Sequence, residues 1–249
     1  MDLLYEHVLR QMEVALNRLE CNVRPPQRVA FGKDRFVFRY IERTAQQAII
    51  QKLARMITGL RAAHLLLRNG LVQEQATIQR VLSDLQEDVL FLVYGILKNE
   101  LSTKPHETFL AAFYEEEFDN PQSAIDSTQR RLMVPRRKIQ AYLARADTGI
   151  GNPSYNQEVA RTLHKAFSGF VHAASPQIMD MYGGNPPYFH VHGMLGTPRM
   201  AEYEHDIWNY FDRGIATFAA AATGLGDHEL FAWLLSEKRN FELKSGRED

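Results

Sequence analysis

Apolar residues recur at three- and four-residue steps along most of this chain. Leu3, Leu4, Val8, Leu9, Met12, Leu16 and Leu19 form one stripe, which predicts a first helix over residues 1–22 ending near Cys21. Pro25 and Pro26 break it, because a proline ring fixes φ and removes a backbone donor. A second stripe begins near Tyr40 and runs through Ala45, Ile49, Leu53, Met56, Ile57, Leu60 and His64 to Leu67, a helix of about seven turns. Asn69-Gly70 then supplies a left-handed terminus. A third helix restarts at Leu71 and carries Val72, Ala76, Val81, Leu82, Leu85, Val89, Leu92, Val93, Ile96 and Leu97. Two long rods joined so tightly must fold back on each other as an antiparallel hairpin, and their remaining apolar edges call for further helices.

Pro105 to Phe118 and Pro135 to Arg145 are the candidates for that cover. Residues 107–126 hold six acids and no bases, and residues 127–145 hold six bases and no acids, so the two segments are expected to attract each other. Later helices are predicted from Asn156 to Ala174, Arg199 to Ala222 and Asp227 to Arg239, the last two parted by Gly224-Leu225-Gly226. Ala30 to Arg39 and Tyr188 to Met194 read as extended. The fold class is therefore all-α, a multi-helix bundle built on a long antiparallel hairpin with at most one minor β-hairpin. Residues 1–249 form one helical domain, with subdomain boundaries near 118–128 and 146–156 as the alternative.

Composition narrows the classes of function. With 249 residues, 45% of them hydrophobic, the chain can bury a sizeable core. A formal net charge of -1 supplies no global field for nucleic acid or an anionic membrane, so such contacts need a local patch. The single Cys21 closes no internal disulfide and fits a reducing, cytoplasmic setting. The opening MDLLYEHVLRQME lacks the apolar core of a signal peptide, and no apolar run is long enough for a bilayer, so no membrane partner is expected.

Candidate chemistry gathers between Leu163 and Met194, where His164, Ser168, His172, Asp180, Tyr182, His190 and His192 surround a Gly/Pro-rich turn. His164, Ser168 and His172 are spaced by four, so one helix face would hold them beside Arg161 and Lys165. Imidazoles among cations suit phosphate chemistry. The competing reading is packing, with the ring nitrogens bonded to nearby carbonyls. In Phe189-His190-Val191-His192, alternate residues of a strand would aim two imidazoles at one metal, with His172, Asp180 or His205 as a third ligand. Glu202 and His205 make a single Glu-x-x-His, whereas a helical di-iron centre needs two. No metal ligand is therefore assigned and no cofactor is called for. The run Arg130, Arg131, Arg136, Arg137 and Lys138, with Tyr142 nearby, could neutralise phosphates and stack a base, or could face Glu115, Glu116 and Glu117 across a helix pair. Asp84, Glu87 and Asp88 read as solvent-facing and receive no role.

Leu163-His-Lys-Ala-Phe-Ser-Gly-Phe-Val-His-Ala-Ala-Ser175, with Asn69-Gly70-Leu71-Val72-Gln73-Glu74-Gln75 and the helix before it, resembles a bacterial helical family of unknown function over residues 40–200. The helix ending in Val-His is more remotely similar to the HEPN superfamily of helical bundles, many of which are ribonucleases that pair an Arg and a His separated by four to six intervening residues. Lys165 and His172 are the best match here, with Lys in place of Arg. The resemblance implies RNA or nucleotide phosphate binding, and in its catalytic form His172 as general acid or base, Ser168 orienting it, and Lys165 and Arg161 on the scissile phosphate. His164, Tyr182, His190 and His192 would complete the substrate site. The rival expectations are a non-enzymatic helical interaction protein, a homodimer by its broad apolar faces, and a mononuclear metalloprotein centred on His190 and His192.

Overall fold

A computed structural model describes residues 1–31, 35–116, 123, 125–127, 132–146, 158, 162 and 165–247. It is an all-helical bundle, as the apolar periods require. α1 (Asp2–Glu20) leads into a ribbon of β1 (Gln27–Phe31) and β2 (Arg35–Arg39), then α2 (Ala45–Arg68), α3 (Val72–Leu97), α4 (Lys104–Tyr114) and α5 (Arg136–Ala146). α6 is described over 165–171; α7 (Ser175–Met179), a short ribbon of β3 (Tyr182–Gly183) and β4 (Tyr188–Phe189), α8 (Met200–Gly224) and α9 (His228–Ser245) follow. The expected boundary regions near 118–128 and 146–156 fall largely outside the described residues.

α2 and α3 form the expected hairpin, and α8 lies against both while α1 and α9 close the remaining sides. Leu9, Met12 and Leu19 from α1, Ile49, Leu53 and Leu60 from α2, Leu92 from α3, and Phe211 and Phe218 from α8 are fully buried. Each contributes about 1.5–3 kcal/mol of transfer free energy. α2 begins at Ala45, later than Tyr40, because Thr44 and Gln47 make a capping box: the Gln47 backbone N–H donates to Thr44 Oγ1 (3.2 Å) and the Thr44 N–H to Gln47 Oε1 (3.1 Å). α4 stops at Tyr114, short of Phe118, where Glu115, Glu116 and Glu117 would set three negative charges against the negative end of the helix dipole. α9 runs past Arg239 to Ser245 and is closed by Gly246 in the left-handed region.

α5 docks on α3, and the expected attraction between the acidic and basic segments falls partly on residues outside those described. Arg136 of α5 turns to α3, with Nη1 2.7 Å from Asp88 Oδ1 and Nε 3.2 Å from Asp84 Oδ1. Lys52 of α2 donates to the other oxygen of Asp88 at 2.8 Å, and Gln140 of α5 donates to Glu87 Oε1 at 3.0 Å. Asp88 is 7% exposed, so the carboxylates read as solvent-facing are an interior clamp joining three helices. Once desolvated, each charge depends on its partner.

The loop before α8 is set by backbone docking. Met194 N–H donates to Gly70 O (2.8 Å), and a Cβ on Gly193, whose φ is 107°, would sit 2.3 Å from Asn69 O. To reach that seat the chain turns after β4: Val191 N–H bonds Phe189 O and Gly193 N–H bonds His190 O. The extended stretch expected over 188–194 therefore ends at Phe189, and His190 and His192 do not share the face of a strand.

Asp88→Ala is expected to cost about 3–5 kcal/mol by leaving the buried Lys52 without its counter-charge, while Arg136 keeps Asp84 and Glu87. Urea unfolding checks this, and a loss below about 1 kcal/mol, the scale of an exposed ion pair, would contradict it. Burial raises the Glu87 carboxyl above its ordinary pKa, so the native state holds that proton more tightly than the unfolded chain. The destabilisation from ionising Glu87 then grows as pH rises from the unfolded value through the folded one. Glu87→Gln should gain stability relative to wild type over that rise, and a difference that is flat with pH would contradict it.

Candidate functional site

The histidine-rich region is brought to the surface at the end of α6 and around β3 and β4. Lys165 and His172 are exposed and Ser168 is half-buried; the His172 backbone N–H bonds Ser168 O at 3.1 Å, just past the last helical residue. Arg161 and His164 lie outside the described residues. Tyr182 pairs with Phe189 across the small ribbon, ring centroids 4.8 Å apart, whereas Tyr188 sits opposite Gly183 and packs on the half-buried His190 at 4.4 Å. His192 is exposed, and Asp180 is paired with Arg199. Among the described residues no three His, Cys, Asp or Glu side chains gather as a metal site. Glu202 and His205 are exposed on α8.

Two other histidines are buried and committed. His64 Nε2 lies 2.9 Å from Asp2 Oδ1, and its ring meets Tyr5 edge-on. His106 Nε2–H donates to Phe91 O (3.1 Å), its ring stacks on Phe91, and burial pushes its pKa below the usual imidazole range. Tyr142, considered above as a base-stacking group, instead donates to Glu100 (2.6 Å) and packs edge-on against Phe91. Of the basic run, Arg136 is consumed by the interior clamp, Arg137 and Lys138 are exposed, and Arg130 and Arg131 lie outside the described residues.

A cleft of about 750 Å³ opens elsewhere, between the β1–β2 ribbon, the start of α2 and the end of α4. The ribbon exists because Pro25-Pro26 ends α1 and the next residues alternate: Val29 pairs with Val37 on the half-buried face, while Arg28, Ala30, Phe36 and Phe38 are exposed. Phe38 and Tyr40 form one wall of the cleft, and Phe113 and Tyr114 the other. A bidentate pair ties the walls together, Arg39 Nε and Nη2 donating to the two oxygens of Glu116 at 2.5 and 2.9 Å. Tyr114 Oη donates to Thr44 O at 2.7 Å, and burial raises its pKa, so the phenol stays a neutral donor. Lys52 reaches from the interior clamp to lie 4.5 Å above the Phe113 ring, backing that wall with a cation.

Arg43 stands on the lip of the cleft. It is exposed, its φ is 55°, and among the described residues it has no ion-pair partner. A β-carbon in the left-handed region is unfavourable, so the surroundings hold this arginine in place at a cost. The cavity falls within the roughly 300–1,000 Å³ typical of small-ligand sites. Its chemistry is aromatic on two sides, with Arg39 neutralised by Glu116 and Arg43 able to meet an anion. Sequence reading passed over this site because its parts belong to three elements; the available signal was the density of arginine and aromatic residues between Arg24 and Arg43.

Comparison with protein-family models, with curated proteins and with solved structures finds no match for this chain.

If Arg43 is strained by its backbone, Arg43→Gly should be about 1 kcal/mol more stable than Arg43→Ala, because both delete the guanidinium and glycine alone relieves φ. Thermal or urea unfolding of the two variants decides it. Equal stabilities would mean the left-handed geometry carries no cost.

Proposed function

We propose that this protein binds a nucleotide in the cleft between the ribbon and the bundle, with the base held between the aromatic walls and the phosphate on Arg43. The observation that carries the reading is a guanidinium without a carboxylate partner among the described residues, at the rim of a cavity walled by Phe38, Tyr40, Phe113 and Tyr114. A planar ring gains dispersion and desolvation between such walls, and an exposed arginine presents the fork that matches a phosphate. Glu116 is occupied by Arg39 and so adds little repulsion. The reading is one of binding: the cleft's polar groups hold the walls in register, and Tyr114 is kept protonated.

Titration of the protein with adenosine 5′-monophosphate, adenosine and inorganic phosphate by calorimetry tests the proposal. The monophosphate is expected to bind more tightly than either fragment, and Arg43→Ala to weaken it by about tenfold, the loss of a charge-assisted hydrogen bond. Equal affinity for nucleotide and nucleoside, or an Arg43→Ala variant that binds as wild type does, would overturn it.

The exposed Lys165 and His172 at the end of α6 leave room for a second, catalytic use of the same ligand class, RNA cleavage with His172 as acid or base. A nuclease rate unchanged in a folded His172→Ala variant would remove that version.

A further inference from the structure

We infer that the outer face of the β1–β2 ribbon extends the cleft into a track for a single-stranded polynucleotide. The inference deepens the nucleotide reading and takes from it only the seat of one nucleotide. Residues 24–43 contain six basic and two acidic side chains, in a chain whose formal net charge is -1. The segment is thus one of two locally basic stretches in the chain, the other being residues 127–145, and within it Arg24 and Arg39 are paired with Glu42 and Glu116 while Arg28 and Arg43 are exposed. A local density of this kind attracts phosphates through counterion release even when the whole protein is near neutral.

Charge alone would fit duplex, single strand or an anionic surface; the aromatic groups select among them. Phe36 and Phe38 point outward from β2 and are 48% and 56% exposed, in a ribbon that could have placed polar residues there. Their rings meet at right angles with centroids 5.4 Å apart, so they do not stack on each other, and Phe38 keeps 56% of its surface exposed. Arg28, from the paired strand, lays its guanidinium 3.8 Å over the Phe36 ring. Arg28 and Phe38 are register partners, which sets a flat cation beside an exposed aromatic ring. Unstacked bases bind such planes with little regard to sequence. A duplex keeps its bases stacked inside and would engage the arginines alone. A lipid surface would have to take Phe36 into the acyl layer with a guanidinium resting on its ring, at a large desolvation cost.

Phe38 belongs to both surfaces. It is exposed on the outer face and also borders the cleft. A strand crossing the ribbon therefore arrives at the cavity with no gap between the two sites, one base entering the cleft and its neighbours lying over Phe38 and Arg28.

The test uses the full chain and fluorescein-labelled 12-nucleotide single strands of RNA and DNA, the matching duplexes, and vesicles of phosphatidylglycerol and phosphatidylcholine. Arg28→Ala/Phe36→Ala removes the outer cation–aromatic pair and leaves every residue that lines the cleft in place, and both positions are exposed, so folding is spared. The single strand is expected to bind more tightly than the duplex. The double variant should weaken it by about tenfold or more, the scale of a lost base–aromatic stack, leave adenosine 5′-monophosphate binding unchanged, and flatten the salt dependence. Unchanged single-strand affinity in the double variant, equal affinity for duplex, or binding to anionic vesicles alone would each overturn the inference while leaving the cleft to be judged by the mononucleotide. Loss of mononucleotide binding together with platform-dependent strand binding would overturn the cleft and keep the track.

Discussion

The arrangement of this molecule depends on one buried carboxylate. Asp88 accepts from Lys52 of α2 and from Arg136 of α5, so a single residue of α3 sets the spacing of three helices. Its two oxygens are used in different directions, which makes the clamp geometric as well as electrostatic. The Lys52 ammonium that it holds also lies over Phe113, the inner wall of the cleft. The interior charge and the surface cavity are thus linked through one side chain, Lys52.

The cleft needs a second constraint on the opposite side. The ribbon is a two-stranded element, marginal by itself, and it is held against α4 by the bidentate Arg39–Glu116 pair. Each wall thus carries a paired cation, Arg39 on Glu116 and Lys52 on Asp88, while the bundle core is aliphatic and aromatic. Among the described residues Arg43 has no ion-pair partner, which is the feature the proposed ligand site rests on.

The helices could be read in the sequence because their apolar periods are local and long, and Asn69-Gly70 marks the α2–α3 turn by a property of one residue, the left-handed φ of Gly70. The start of α2 was also written in the chain, as Thr44 and Gln47 at capping-box spacing, but the apolar residues upstream of it extended the stripe to Tyr40. What escaped was non-local. Nothing near Arg136 in sequence shows that its partners are Asp84 and Asp88 on another helix, and the acidic residues next to it in the chain were the natural but mistaken choice. Likewise, His190 and His192 alternate like strand residues, yet the loop bends because Gly193 and Met194 must reach the backbone at Asn69 and Gly70. Histidines drew attention for their versatility, whereas the cleft is made from arginine and aromatic side chains on separate elements.

Chemical-shift mapping on the isotope-labelled protein during titration with adenosine 5′-monophosphate tests the central claim most directly. Perturbations are expected to begin at Tyr40 and Arg43 and to include Phe113 and Tyr114. A response centred instead on Lys165, His172, His190 and His192, with the cleft residues unmoved, would contradict the account.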